Sequence, residues 1–83
     1  MGFKINVENQ GSTSTIKVWQ KINNNEDTKV LDKIIETGDS VSVNAFETEE
    51  YGNDGGDFAW EHVGSSKIDN EFVAADGTLI VDD

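Results

Sequence analysis

The chain contains no cysteine, no proline and no arginine, and these absences exclude several kinds of site. Without cysteine there is no disulfide, no thiolate metal site and no cysteine nucleophile. Small secreted domains often need disulfides, so we expect a cytoplasmic protein, with secretion as the alternative. Without arginine, the planar group that best binds phosphate is missing. No N-terminal apolar run resembles a signal peptide, and no stretch predicts a membrane span.

Acidic residues outnumber lysines by 17 to 6, which gives a net charge of −11. Residues 1–33 carry five lysines and four acids, whereas residues 34–83 carry one lysine and thirteen acids. Such a negative surface repels nucleic acids and anionic membranes, so we expect no direct nucleic-acid binding. It attracts cations, which predicts a basic protein surface or a metal ion as the partner. The alternative is that the acidity only keeps a small domain soluble.

The 83 residues can bury one thin core, and we expect one acidic β-sandwich domain covering residues 1–83. Apolar and polar residues alternate in several short runs, which is the pattern of half-buried strands. The predicted strands are residues 3–8, 14–22, 28–36, 40–46, 57–63, 68–75 and 78–82. Six or seven short strands predict an all-β fold, a small antiparallel β-sandwich, with a partly open barrel as the alternative.

Turn-forming residues predict the connections between the strands, and the secondary structure of one segment is ambiguous. Residues 28–36 have helical apolar spacing, but their β-branched residues favour a strand. Residues 23–27 predict a turn, and residues 37–39 and 76–77 predict hairpins. The predicted core contains Phe3, Ile5, Val7, Ile16, Val18, Val41, Val43, Phe58, Trp60, Phe72, Leu79 and Val81.

The segment 47–57, ETEEYGNDGGD, combines carboxylates with glycines. Carboxylate and amide oxygens are the ligands that calcium prefers, although no EF-hand pattern is present. The predicted calcium ligands are Glu47, Glu49, Asn53, Asp54 and Asp57. The residues predicted to contact a basic partner are Glu47, Glu49, Glu50, Asp54 and Asp57. An ordinary solvated loop is the alternative for the whole segment.

Trp19 is a further candidate contact residue, because strand alternation places it outward beside Lys17 and Lys21. Such a tryptophan can stack on a sugar ring, sit at a membrane interface or anchor a protein contact. Alternatively, it only covers the outer face of its sheet.

Catalytic machinery is sparse in this sequence. His62 is the one histidine, and Ser65 and Ser66 lie just across a turn from it, without a nucleophile elbow. A lone histidine beside aromatic residues is more often a packing or surface residue. We therefore predict no enzyme and no catalytic residue.

These patterns predict a non-catalytic binding module that acts through an acidic protein-interaction surface. One alternative is an inhibitor of the phage anti-defence type, which mimics nucleic acid and is steered onto a basic nucleic-acid-binding protein. The other is a calcium-dependent or sugar-binding, lectin-like module with a carbohydrate partner.

Overall fold

The computed structural model describes residues 2–22 and 26–83 and contains two β-sheets. The strands are β1 (Gly2–Asn9), β2 (Ser14–Ile22), β3 (Glu26–Ile35), β4 (Ser40–Phe46), β5 (Gly55–His62), β6 (Ser66–Ala74) and β7 (Thr78–Val81). One sheet has the order β4-β1-β7, and the other has the order β3-β2-β5-β6. The predicted all-β sandwich is therefore confirmed, and the sheets do not close into a barrel. Within the described residues, no helix has the length and apolar character needed to cross a membrane.

The pairing is antiparallel except between β1 and β7, which run parallel with Asn6 opposite Thr78. The hairpin predicted at residues 76–77 is therefore wrong, because β6 and β7 belong to different sheets. A turn does form there: Asp76 has a φ of 63°, and the Gly77 amide donates to the Ala74 carbonyl over 2.8 Å. Local turn chemistry thus identifies the turn but not the sheet that the next strand joins.

The hairpin predicted at residues 37–39 is wrong for the same reason, because β3 and β4 lie in different sheets. This connection is attached instead to the end of β1. The Gly38 amide donates to the Asn9 carbonyl over 2.7 Å, and the Asn9 amide donates to the Asp39 carbonyl over 3.0 Å. Of the turn predicted at residues 23–27, residues 23–25 lie outside the described part, and Asp27 already belongs to β3.

The core lies between the two sheets and receives apolar side chains from all seven strands. Ten of the twelve predicted core residues are buried. Val41 is partly buried against the core, and Phe72 is 51% exposed. Ile35 and Val73 are buried although neither was predicted.

A β-bulge at Asn70 explains why the core prediction fails in β6. Trp60 lies opposite Ile68 and Phe58 opposite Glu71, so β6 uses one residue more than β5 over this interval. Asn70 has a φ of 61°, the left-handed conformation that asparagine tolerates better than most residues. The extra residue shifts the alternation by one position. Val73 therefore points into the core, while Phe72 and Ala74 are exposed on the outer face.

A second irregularity explains the ambiguous pattern of residues 28–36, of which residues 28–35 belong to β3. Val18 lies opposite Leu31 and Trp19 opposite Lys29, so Val30 is an extra residue in β3. Val30 and Leu31 both pack against the core as a result. Two consecutive inward apolar residues produce the helix-like spacing without a helix.

Two buried side-chain amides join the sheets at opposite ends of the sandwich. Gln20 of β2 donates from Nε2 to the Phe46 carbonyl and accepts from the Phe46 amide at Oε1, both over 2.8 Å. Asn9 of β1 donates from Nδ2 to the carbonyls of Ser12 (2.9 Å) and Ile35 (2.8 Å). Buried amides with satisfied partners fix one arrangement of the sheets.

We expect Asn70→Val to lower the free energy of unfolding by about 1–2 kcal/mol, because a β-branched residue resists the left-handed conformation. The matched control is Asn70→Gly, which should change it by less than about 1 kcal/mol, because glycine adopts positive φ freely. Urea denaturation measures both variants. Equal stabilities of the two variants would contradict the left-handed backbone conformation described for Asn70.

We expect Gln20→Met to lower the free energy of unfolding by about 2–3 kcal/mol, because two backbone groups of Phe46 lose their partner. Gln10→Met makes the same chemical change at an exposed position and should alter it by less than about 0.5 kcal/mol. Similar losses in these two variants would show that the Gln20 amide does not join the sheets.

Candidate functional site

The acidic segment between β4 and β5 is folded by its own hydrogen bonds. Thr48 and Gly52 exchange backbone hydrogen bonds of 3.2 and 2.8 Å, and Thr48 Oγ1 accepts from the Tyr51 amide over 3.2 Å. Gly52 has a φ of 61°, which glycine adopts without strain. The Ala75 amide donates to the Asp54 carbonyl over 2.9 Å and so attaches the segment to the turn after β6. The acidic segment is therefore a closed turn with a defined conformation.

An exposed aromatic pair lies beside this turn. The ring of Tyr51 packs on the ring of Phe72, with centroids 5.0 Å apart and planes inclined by 56°. Phe72 covers Gly55, where an added Cβ would lie 2.7 Å from Phe72 Cζ, so a larger residue there would displace the ring. With half of its surface exposed, Phe72 presents an apolar ring on the outer face of β6.

The Tyr51 hydroxyl bonds to the carboxylate of Asp57. It donates to Asp57 Oδ2 over 3.2 Å, with Oδ1 at 3.4 Å. Partial burial, a hydrogen bond to Glu50 and the negative charge of Asp57 raise the pKa of Tyr51 to about 12. The hydroxyl therefore keeps its proton at neutral pH and offers it to the carboxylates of Asp57 and Glu50.

Carboxylates of the acidic segment adjoin Tyr51. Glu50 and Asp54 are exposed, and Asp57 is half-buried under the Tyr51 hydroxyl. We call Tyr51, Phe72, Glu50, Asp54 and Asp57 the Tyr51 patch. The remaining predicted contact residues of the turn, Glu47 and Glu49, are exposed beside it. Neither aromatic member was identified from the sequence. The bulge that turns Phe72 outward was not predicted, and the one available signal for Tyr51 was its position as the single tyrosine of the chain among acidic residues.

Acidic residues also occur far from the Tyr51 patch. Glu36, Asp39 and Asp82 are exposed at the opposite end of the sandwich. On the outer face of the four-stranded sheet, acids alternate with lysines, as in the 3.2 Å ion pair between Lys29 and Asp32. The negative charge is therefore not confined to one face.

The five predicted calcium ligands do not form a recognisable cluster. Within the described ranges, no group of three or more histidine, aspartate or glutamate side chains could hold a metal ion. Asp57 is engaged by Tyr51, although its carboxylate keeps further acceptor positions. Calcium binding stays a prediction, which calorimetric titration with calcium chloride would test.

The structure places Trp19 on the outer face of the four-stranded sheet, opposite Ala59 and not among the residues of the Tyr51 patch. It is half-buried, and its neighbours Val18 and Gln20 point into the core. Trp19 borders a small cavity together with residues of three other strands. Trp60, by contrast, is 5% exposed in the core, and its Nε1 donates to Glu71 over 3.2 Å.

His62 lies inside a polar junction at the far end of the sandwich. It is 1% exposed, and Nε2 lies 2.8 Å from the Ser12 carbonyl, which can only accept, so Nε2 carries the proton. Nδ1 has no hydrogen-bond partner within the described residues. Ser12 also donates from Oγ to Asp83 over 2.6 Å, and this bond lowers the pKa of the Asp83 carboxyl. The ring thus contacts a backbone carbonyl, and the absence of catalysis stays a prediction.

We expect the tyrosinate absorbance of the folded chain, which contains one tyrosine, to rise with a midpoint near pH 12. The urea-unfolded chain should titrate near 10.0. Because the folded pKa is raised, this group stabilises the fold below pH 10, and the contribution is lost as the pH rises from 10 to about 12.

Asp57→Asn should lower the pH midpoint of the Tyr51 titration in the folded chain towards 10.0, because it removes a nearby negative charge. Asp82→Asn makes the same charge change at the other end and should leave the midpoint unchanged. A folded wild-type midpoint near 10.0 would refute the described environment of Tyr51.

Comparison with known proteins assigns the chain to no family. No protein-family model, no curated protein and no solved structure matches it.

Proposed function

We propose that the chain is a non-catalytic binding module whose Tyr51 patch contacts a basic segment of a partner protein. The observation that carries this proposal is the exposed Phe72 ring, packed on Tyr51, whose hydroxyl bonds to the carboxylate of Asp57. Protein interfaces concentrate their binding energy in a few aromatic or arginine anchors inside a polar rim. The Tyr51 patch has this composition: an apolar centre with a charged border.

The chemistry of the Tyr51 patch suits a lysine or arginine side chain. The face of an aromatic ring attracts a cation, and Phe72 offers such a face. Exposed carboxylates of Glu50 and Asp54 can accept the charge-assisted hydrogen bonds of the same cation. The net charge of −11 would accelerate the approach of a basic partner.

The Tyr51 patch is also ordered before any partner arrives. The Thr48–Gly52 backbone pair closes the turn, and the Tyr51 hydroxyl bonds to the carboxylate of Asp57. Groups that are already held in place lose less conformational entropy on binding. A small patch on a small domain can therefore bind with useful affinity.

The distribution of charge favours this local patch over mimicry of nucleic acid along a whole face. A mimic needs an extended surface of one sign, whereas lysines such as Lys17 and Lys29 interrupt the acids on the outer face. The ion pair of Lys29 with Asp32 neutralises part of that face locally. A cytoplasmic location remains our expectation.

The test begins with a random peptide library displayed on phage and selected on the immobilised chain. Selected peptides should be enriched in lysine and arginine, and their binding should weaken as salt is added. Phe72→Ser should reduce the affinity of a selected peptide at least about tenfold, which corresponds to about 1.4 kcal/mol. Peptides without basic enrichment, or insensitive to Phe72→Ser, would refute the proposal.

A pair of charge reversals separates the Tyr51 patch from overall charge. Glu50→Lys/Asp54→Lys changes the Tyr51 patch, and Glu36→Lys/Asp39→Lys makes the same net change at the opposite end. The first pair should abolish peptide binding, whereas the second should weaken it less than about threefold through long-range electrostatics. Equal losses would mean that only the net charge attracts the peptide.

A further inference from the structure

The outer face of the four-stranded sheet contains a cavity of about 190 Å³ beside Trp19. Its lining residues are Trp19, Asp27, Ala59, Lys67 and Asp69. They come from β2, β3, β5 and β6, so all four strands of the sheet contribute. The cavity therefore depends on the fold of the whole sheet and not on a single loop.

Strand register explains how the cavity forms. Trp19 lies directly opposite Ala59, and the small methyl group leaves a recess beside the large indole. Asp27 of β3 and Lys67 of β6 stand on the two sides of this pair. The bulge at Asn70 interrupts the pairing of β6 opposite Ala59, which leaves Asp69 at the border of the recess.

We propose that this cavity binds one pyranose ring of a carbohydrate. A pyranose has an apolar face of C–H groups and a rim of hydroxyls that both donate and accept hydrogen bonds. The indole of Trp19 supplies a flat apolar surface for the ring face. Asp27 and Asp69 supply acceptors for the hydroxyls, and Lys67 supplies a donor.

The charge of the lining disfavours an anion and leaves a small cation as the competing ligand. An anion would meet two carboxylates, whereas an ammonium or guanidinium group would meet two carboxylates and the Lys67 ammonium. A neutral ring with many hydroxyls uses both kinds of group without a charge conflict. The volume is also below the roughly 300–1,000 Å³ of pockets for drug-sized ligands, so the cavity accommodates one ring unit.

This site is separate from the Tyr51 patch. Phe72 lies opposite Asp57, whereas Ala59, which lines the cavity, is two residues further along β5. The two sites share the outer face of one sheet and use different side chains. A sugar beside Trp19 would therefore contact different residues from those of the basic partner proposed above.

The experiment follows the indole N–H signals of the two tryptophans by NMR during titration with methyl glycosides of glucose, galactose, mannose and N-acetylglucosamine. At least one glycoside should shift the Trp19 signal in a saturable way, with Kd of about 1 mM for a single ring. The Trp60 indole is buried and bonded to Glu71, so its signal should stay in place as an internal control. n-Butylamine serves as the cationic probe and should give no saturable shift.

Variants of the lining residues then test whether the shift of the Trp19 signal comes from sugar bound in the cavity. Trp19→Ala should abolish sugar binding, as judged by ligand-observed NMR, with the Trp60 signal reporting that the fold is intact. Asp69→Asn should weaken binding at least about fivefold, whereas Asp82→Asn, the same change at the far end, should not. The proposal is overturned if no glycoside shifts Trp19, if binding survives Trp19→Ala, or if butylamine competes at the same site.

Discussion

The hydrogen bonds of two buried amides, Asn9 and Gln20, hold the two sheets of this small sandwich in one arrangement. Each amide belongs to one sheet and bonds to backbone groups of the other, Asn9 to Ile35 and Gln20 to Phe46. Apolar packing in a thin core tolerates sliding, whereas a buried amide without its partner costs free energy. The acidic turn begins directly after Phe46, so the position of the Tyr51 patch depends on the Gln20 bonds.

The two proposed binding surfaces lie where the regular sheet is interrupted. The bulge at Asn70 turns Phe72 outward against Tyr51, and the same interruption opens the space beside Ala59. A regular strand would have placed Phe72 in the core and paired β6 continuously. Bulges commonly reorient a side chain next to functional sites, and here one bulge borders both of the proposed sites.

Hydrophobic alternation predicted the strands and most of the core, because each sheet buries one face and the period of two follows directly. The failures have specific physical causes. An inserted residue at Asn70 or Val30 reverses which of the following residues point inward. The residue types around each insertion do not predict it. Turn residues such as those at 76–77 predict a local turn. The sheet that β7 joins depends instead on its pairing with β1.

The candidate site was predictable only in part. The acids of the turn were visible as a cluster of carboxylates in residues 47–57, and all of them except the half-buried Asp57 are exposed. The aromatic centre was not visible, because Tyr51 and Phe72 are brought together only by the folded turn and the bulge. Trp19 was correctly placed outward, but its cavity needs Asp27 and Asp69 from the strands at the two edges of the sheet.

The parallel pairing of β1 with β7 has a consequence for how the chain reaches its native state. Asn6 meets Thr78, so the three-stranded sheet is complete only when segments far apart in the chain have found each other. Bringing distant segments together costs loop-closure entropy before their contacts compensate for it. Proteins dominated by such pairings fold in roughly milliseconds to seconds, and docking of β7 would then be a late step that leaves one edge of β1 transiently unpaired.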